Sequence, residues 1–241
     1  MQLVGLALLL FVIWFGFEER TTTTISAFDS HATVVVLGGS LAAILASSTA
    51  VNALRTFVYL RELVPGMGTL ARATEALEAD RVQLASLWKD GRRAQAVTLA
   101  EQSRFPAIKQ MMELVLQRAP EEAVREVFTE LRHDQLRRWQ PAIGNWELLT
   151  KLAPSFGMVG TITGMIQLFQ SMGDENMNIG AAISLALLAT LYGVAFGAGV
   201  AGPIGHFLRG LLDEHLGALE RCEQSVGGLI ARASRDAVVG G

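Results

Sequence analysis

The chain has 241 residues, of which 51% are hydrophobic, and its mean hydropathy of +0.35 is high for a soluble domain. The formal net charge of −3 argues against a nucleic-acid-binding protein, which would normally be basic. The single cysteine, Cys222, excludes an internal disulfide framework and a cysteine-based metal cluster, and the four histidines lack the spacing of metal ligands.

Two apolar segments open the chain. Residues 2–17 form a nearly continuous apolar run that lacks the basic flank and the small-residue cleavage site of a signal peptide. We interpret this run as a membrane span, although about 16 residues is short for one. A polar loop, residues 18–30, separates it from a second predicted span at residues 32–54. Small residues recur at every fourth position of that second segment, as Gly38, Ala42 and Ala46.

The next stretch, residues 55–150, has helical periodicity and no strand pattern. The predicted helices are residues 69–88, 92–103 and 106–118, with a break at residues 89–91. Pro120, Glu121 and Glu122 are typical of a helix start, because proline fits the first turn and carboxylates favour its positive end. We predict that this helix continues past Pro141 and Trp146 into a third span.

Spans three and four are predicted within residues 151–209, where two apolar runs of about 20 residues flank a polar hinge at residues 171–178. So short a hinge requires an antiparallel pair of helices. Neither run contains Asp, Glu, Lys or Arg between residues 153 and 207. Hydroxyl groups in hydrocarbon need partners, so those of the two runs should face protein or a wet path. They belong to Thr161, Thr163, Ser184 and Thr190. An amphipathic helix is predicted at residues 211–232.

Glycines and prolines mark both runs. Small residues at helical spacing let backbones approach closely in lipid. The candidates for such packing are Gly157, Gly160 and Gly164 in the third span and Gly193, Gly197, Ala201 and Gly205 in the fourth. Simple packing of two helices would explain the glycines. Pro154 and Pro203 each remove a backbone hydrogen bond and favour a kink, which adds a hinge function to the interpretation.

Basic residues give the orientation, because the cytoplasmic loops of membrane proteins are rich in Lys and Arg. Of the 20 Lys and Arg residues, Arg20 alone lies in the first polar loop, and residues 171–178 contain none. The other 19 place both termini and the large loop in the cytoplasm. The predicted domains are spans one and two (1–54), a cytoplasmic helical domain (55–146), spans three and four (147–209), and a C-terminal helix and tail (210–241).

The sequence contains no support for enzyme chemistry, since phosphate-binding loops, nucleophile elbows and paired intramembrane carboxylates are missing from it. We therefore expect neither an enzyme nor a resident metal or cofactor. Four charged residues of the large loop form either a solvated helix face or a docking surface for a charged partner. They are Lys89, Arg92, Arg93 and Glu101.

Four segments in order resemble the MotA/PomA flagellar stator proteins, a branch of the MotA/TolQ/ExbB ion-channel superfamily. HATVVVLGGSLAAIL (31–45) resembles their V-L-G-G span, and LAPSFGMVGTITGMIQLF (152–169) resembles their A-P-x-x-G-M-[IV]-G-T span. IGAAISLALLATLYGVAFGAGVAGPI (179–204) and the loop motif WKDGRRAQAV (88–97) are similar to two further family motifs. TolQ and ExbB have three spans and lack the V-L-G-G helix, so the MotA branch fits better.

The resemblance implies an all-helical inner-membrane protein that assembles as a pentameric ring around two copies of a MotB-like partner. That partner spans the membrane once and supplies an ion-binding Asp. Ion flow through the ring then drives rotation, which turns a FliG-like rotor. By motif match, Thr161 and Thr190 line the ion path, and Thr163 and Ser184 are further candidates.

The resemblance also bears on the hinges and on the ion. Pro154 and Pro203 match the family prolines that flex spans three and four. The transported ion is Na⁺ or H⁺. Sodium-type members tend to carry threonine at the position of Thr161, which favours Na⁺ here.

The chain departs from the family in its cytoplasmic loop. Ala96, Val97 and Thr98 stand where acidic residues are usual, and Trp88 stands where an arginine is frequent. Because those charges contact the rotor in the family, the identity of the rotor stays open. The alternatives are a TolQ/ExbB-like energiser of an envelope or gliding system and a membrane scaffold that conducts nothing.

Overall fold

The computed structural model describes residues 30–64, 66–170 and 179–239, and every regular element in these ranges is a helix. They belong to two compact units, the first comprising Met1–Met67 and Gln140–Leu208 and the second Gly68–Trp139 and Arg209–Gly241. The first predicted span, residues 2–17, and the hinge at residues 171–178 lie outside the described residues. The predicted domain boundaries at residues 54, 146 and 209 stay a prediction.

The described part of the first unit starts with an interrupted apolar helix. Its elements are α1 (Ser30–Thr33), a π-helical stretch (Val34–Gly38), α2 (Gly39–Ser47), α3 (Ala50–Val58) and a 3₁₀ helix (Tyr59–Leu63). The sequence predicted one span over residues 32–54. Instead, the helix ends at Ser47, because Ser48 and Thr49 have extended backbones with ψ angles of 150° and 149°.

The small-residue row of the second apolar segment does not lie on the buried face of α1 and α2. Gly38, Ala42 and Ala46 are exposed. The buried residues are instead Ala32, Val36, Ser40 and Ile44. Ser40 is tolerated there because its hydroxyl donates to the carbonyl of Val36, 2.5 Å away in the same helix.

Two long helical runs carry the predicted third and fourth spans. They consist of α7 (Glu121–Gln170), α8 (Ile179–Val194), a second π-helical stretch (Ala195–Ala201) and α9 (Gly202–Val239). Among the described residues, two helices are long and apolar enough to cross a membrane, Glu121–Gln170 and Ala186–Arg232. The predicted continuation of α7 past Pro141 is confirmed. The predicted tail helix is confirmed too, but it is continuous with the fourth apolar run.

The second unit is a helical bundle. It contains α4 (Leu70–Lys89), α5 (Arg93–Gln102), α6 (Pro106–Leu116), the first part of α7 and the last part of α9. The three predicted loop helices are thus confirmed to within a few residues, and Gly91, with φ of +72°, lies in the break between α4 and α5. The core of this bundle is apolar and includes Leu84, Ile108, Met111, Phe128, Cys222 and Val226.

Candidate functional site

The candidate site lies in the first unit, where glycines bring the backbones of α7 and α8 together. A Cβ added to Gly157 would lie 2.8 Å from the carbonyl oxygen of Ala189, and one added to Gly193 would lie 2.5 Å from that of Ala153. These distances leave no room for a side chain. The two helices therefore meet backbone to backbone at this level, as close helix packing in membranes requires.

The other predicted packing glycines extend the same contact. A Cβ on Gly160 would lie 2.7 Å from Cβ of Ala189, and one on Gly164 would lie 3.0 Å from Cβ of Ala186. Gly160 and Gly164 therefore pack against alanines of α8, whereas Gly157 and Gly193 approach each other directly.

Two hydroxyls that the sequence singled out meet between these helices. Thr161 Oγ1 is hydrogen-bonded to Thr190 Oγ1 and lies 2.8 Å from the carbonyl oxygen of Ala186. The carbonyl oxygen of Gly157 lies 3.2 Å from Thr161 Oγ1 and 3.4 Å from Thr190 Oγ1. Two hydroxyl and two backbone oxygens thus form a small oxygen cluster between two apolar helices.

The two hydroxyls of this cluster have only two hydrogens to share among its four oxygens, which limits the possible hydrogen-bond directions. A hydroxyl has one hydrogen to donate and a carbonyl has none. If Thr161 donates to the nearer carbonyl, that of Ala186, then Thr190 must donate to Thr161. Hydroxyl and carbonyl oxygens are hard donors, the type that alkali and alkaline-earth cations prefer over sulfur or nitrogen. The cluster is therefore chemically suited to a cation or to a water in a proton path.

The other two ion-path candidates lie elsewhere. Thr163 is exposed, and its hydroxyl lies 3.0 Å from the carbonyl oxygens of both Val159 and Gly160 in its own helix. Two residues correspond to roughly 200° around a helix, so Thr163 faces away from Thr161. Ser184 is half-buried and precedes Thr190 by about 9 Å along α8. The structure thus brings together two of the four predicted hydroxyls.

The predicted hinge prolines are associated with irregular backbone. Pro154 has no N–H, so the carbonyl of Thr150 lacks its usual helical donor. A Cβ added to Gly197 would lie 3.0 Å from that carbonyl oxygen and 2.7 Å from Cδ of Pro154. Gly197 belongs to the π-helical stretch that ends just before Pro203. The sequence predicted kinks at the prolines but gave no sign of the π-helical stretch, a feature that often marks functional sites.

A polar group that the sequence analysis missed lies at the start of the apolar part of α7. Ser48 Oγ donates to Asn145 Oδ1 (2.7 Å), and Asn145 Nδ2 donates to Thr56 Oγ1 (2.8 Å). The indole N–H of Trp146 donates to the carbonyl of Thr56 at 3.1 Å. The sequence contained one hint of this group: the hydroxyl residue Ser48 interrupts the second apolar segment, and the amide residue Asn145 precedes the third.

The charged candidates of the loop lie in the second unit. Lys89, Arg92 and Arg93 are exposed around the turn between α4 and α5, and the guanidinium of Arg93 lies 5.4 Å from the centre of the Trp88 ring. Glu101 is about 12 Å further along α5. It lines a shallow groove of about 410 Å³ between α5 and α6. The structure therefore groups the three cations and separates the carboxylate from them.

Comparison with known proteins shows which family the chain resembles, independently of the geometry of the site. The sequence profile of the MotA/TolQ/ExbB proton channel family matches residues 100–221, about half of the chain. Motility protein A of Borreliella burgdorferi is 29% identical over 179 residues, which are 72% of this chain and 65% of that protein. The chain thus matches just under two thirds of that relative.

Solved structures share the fold. The C. jejuni MotAB structure has a chain that superimposes with a TM-score of 0.79 at 14% identity, covering 95% of this chain and 89% of that one. The flagellar MotAB stator complex of Bacillus subtilis gives a TM-score of 0.75 at 18% identity, with the same coverage. The residues in the oxygen cluster lie inside the matched family region.

Proposed function

Because the chain belongs to the MotA/TolQ/ExbB proton channel family, we propose that it is the ion-conducting subunit of a motor complex of the MotA/MotB type. Such a complex converts an ion-motive force into rotation of a rotor. The observation that carries the proposal is the pairing of the Thr161 and Thr190 hydroxyls between two apolar helices. Hydroxyls at such a place are expected beside a wet path or a polar partner.

The partner follows from what the two apolar runs lack. An ion path through a bilayer needs an ionisable relay group, and neither run contains Asp, Glu, Lys or Arg between residues 153 and 207. We propose that the carboxylate comes from a MotB-like protein with one membrane span. In this proposal five copies of the chain form a ring around two copies of that partner.

The proposed membrane topology has four spans in the bacterial inner membrane, with both termini in the cytoplasm. The distribution of basic residues supports it, because 19 of 20 lie outside the two loops assigned to the opposite side. The second unit is then cytoplasmic. Its exposed turn with Lys89, Arg92 and Arg93 is the proposed contact with a FliG-like rotor protein, and Glu101 is a second candidate.

For the transported ion we propose Na⁺ rather than H⁺. A sodium ion must exchange its hydration shell for several hard oxygen ligands, whereas a proton can pass along water and a carboxylate without a coordination shell. Thr161, Thr190 and the carbonyl of Ala186 supply three such oxygens. The partner's Asp would complete the set with a charge.

The test is ion flux through the complex that the chain forms with the proposed MotB-like partner. Both proteins are purified together, inserted into vesicles and exposed to a sodium gradient or to a proton gradient. We expect sodium flux that falls by about tenfold in Thr161→Ala, the loss that corresponds to about 1.4 kcal/mol of ion coordination. Ser155→Ala is the matched control, because its exposed hydroxyl bonds the carbonyl of Lys151 in its own helix.

Three results would contradict parts of this proposal. Proton flux without sodium, unchanged by Thr161→Ala, would make the ion a proton. Copurification with an ExbD- or TolR-like protein would assign the chain to an energiser. A correctly inserted complex that passes neither ion would leave the non-conducting scaffold as the function.

A further inference from the structure

The polar group at the start of the apolar part of α7 has a defined hydrogen-bond direction. Thr56 Oγ1 donates its single hydrogen to the carbonyl of Asn52, 2.9 Å away, so it must accept from the amide nitrogen of Asn145. The amide oxygen of Asn145 is then free to accept from Ser48. Every member of this chain of hydrogen bonds therefore has a distinct role, and together they join α7 to both sides of the break between α2 and α3.

Because Thr56 and Asn145 are buried, breaking their hydrogen bonds would be costly in free energy. Thr56 is 0% exposed and Asn145 is 6% exposed. A buried polar atom that loses its partner retains the full cost of its desolvation. Apolar packing alone would tolerate a small slide of α7 along α2 and α3. The hydrogen-bond chain does not, because a slide would leave the amide and the hydroxyl unpaired.

Trp146 adds a second contact at the same level. Its indole N–H donates to the backbone carbonyl of Thr56, and its ring packs edge-on against Phe57 with 6.3 Å between ring centres. The beginning of the apolar part of α7 is thus held by two side chains in successive positions, Asn145 and Trp146. Both contact α3.

The hydrogen-bonded position at Asn145 and the oxygen cluster at Thr161 lie on opposite sides of Pro154 along α7. Asn145 precedes the proline by about 14 Å along α7, and Thr161 follows it by about 10 Å. On the far side, α7 is bonded to α8 through Thr161 and Thr190. Between the two sites the helix lacks one backbone hydrogen bond, that of the Thr150 carbonyl, and is most easily bent there.

We propose that Asn145 is a positioning residue for the ion path. Its bonds to Ser48 and Thr56 fix the position of α7 at Asn145, so that bending at Pro154 moves Thr161 relative to α8 instead of shifting the whole apolar part of the helix. The residue acts through helix position and touches no ion. This inference rests on the proposed function, since it concerns how the ion path is held while ions pass.

The test uses the same vesicle assay, with flux measured per assembled complex over a range of sodium concentrations. Thr56→Val keeps the shape of the side chain and removes the acceptor, whereas Thr56→Ser keeps the hydroxyl. We expect Thr56→Val to lower the maximal flux by about tenfold, with the half-saturating sodium concentration unchanged, because the oxygens of the cluster remain. Thr56→Ser should retain the wild-type maximal flux.

A double-mutant cycle and a control sharpen the result. Asn145→Leu should lose at least as much flux as Thr56→Val, because it removes the bond to Ser48 as well as the bond to Thr56. The double variant should lose no more than Asn145→Leu, because the bond between Asn145 and Thr56 is already absent there. Ser47→Ala is the control, since the Ser47 hydroxyl bonds the carbonyl of Ile44 in its own helix. Its flux should equal that of the wild type.

The inference is overturned if Thr56→Val assembles and keeps the wild-type maximal flux, or if Thr56→Ser loses as much as Thr56→Val. If Thr56→Val does not assemble, Ser48→Ala takes its place, because Ser48 is half-buried and at the end of the hydrogen-bond chain. Wild-type flux in Ser48→Ala would then contradict the inference. A wild-type complex without flux would instead contradict the proposed function, and this inference would fall with it.

Discussion

The backbone of Gly193 lies against Ala153 and Gly157, and that contact sets the separation of α7 and α8. Thr161 and Thr190 reach each other only because this separation is small. Each threonine also stays close to the carbonyl of Gly157, which a side chain at that position would displace. The glycines therefore hold the oxygen cluster together, although they carry no polar side chain themselves.

Gly193→Ala should weaken the pairing of α7 and α8. The added Cβ would lie 2.5 Å from the carbonyl oxygen of Ala153, where backbone on both sides must shift. Overpacking of this kind costs about 1–3 kcal/mol. We expect a lower midpoint of thermal unfolding for the purified complex, and a still lower one for Gly193→Leu.

Gly210→Ala is the matched control for that measurement. Gly210 also lies in a helix, α9, but a Cβ there would meet nothing within 4 Å. Alanine in an open helical position stabilises by up to about 1 kcal/mol relative to glycine. An equal thermal shift in Gly193→Ala and Gly210→Ala would show that close packing of α7 and α8 is unimportant for stability.

Among the helices, α7 combines two kinds of attachment. It is anchored by hydrogen bonds near Asn145, and it is packed through glycines beyond Pro154. The facing stretch, Ala195–Ala201, is π-helical and ends just before Pro203. At Pro154 the α7 helix lacks one backbone hydrogen bond, and the facing run is π-helical, so both runs are more easily bent here than a regular α-helix.

Pro154→Ala should stiffen α7 without preventing assembly. Alanine restores the N–H that the Thr150 carbonyl lacks and has the highest helix propensity. We expect normal amounts of assembled complex that perform less rotation for a given ion-motive force. The measurement is rotation speed against ion-motive force in cells that carry the variant. Unaltered speed in both Pro154→Ala and Pro203→Ala would remove the prolines from the mechanism.

In the second unit, α4 and α9 are joined by polar contacts, of which that between Thr74 and His215 is buried. Thr74 Oγ1 lies 2.9 Å from Nδ1 of His215, which is 5% exposed. Burial lowers the pKa of His215 below its usual value of 6.5. Burial also opposes ionisation of Glu78, but its hydrogen bonds to Arg81 and Arg221 outweigh that effect and lower the pKa of the carboxyl.

Acid should therefore destabilise the α4–α9 contact. Because the folded pKa of His215 lies below the unfolded one, the unfolded chain takes up its proton first as the pH falls. The contribution of His215 to stability is full above pH of about 6.5 and is lost below it. Glu78 acts in a separate window, below its ordinary pKa of 4.5.

Thermal unfolding between pH 8 and pH 5.5 measures the His215 effect. We expect the midpoint to fall towards pH 5.5 in the wild type and to fall less in His215→Gln, which cannot titrate. The same slope in both proteins would assign the acid sensitivity to other groups.

For the whole molecule, the unequal distribution of basic residues is the strongest evidence on the membrane topology. Lys and Arg are confined, apart from Arg20, to the segments assigned to the cytoplasm. Cysteines introduced at Thr22 and Glu175 should react with a membrane-impermeant maleimide in intact cells, and one at Arg92 should not. The native Cys222 will not interfere, because burial raises the pKa of its thiol to about 12. Labelling of the Arg92 cysteine in intact cells would disprove the topology.

Local chemistry in the sequence was enough for the helices of the second unit and for α7. Helical period, Pro120 and the break at Gly91 act within a few residues, so they could be read without the fold. Four hydroxyl residues stand out in the sequence because the apolar runs contain no charges, and the family resemblance selected Thr161 and Thr190 from them.

The tertiary structure alone decided which surfaces meet. The sequence predicted a span over residues 32–54 without locating the break at Ser48, where Asn145 from a distant segment supplies the hydrogen-bond partner. It placed Gly38, Ala42 and Ala46 on one face without saying which face is covered, and the buried row is that of Val36. Helix formation within a segment does not decide which of its faces is buried. The neighbouring helix, through contacts remote in sequence, determines which face is covered.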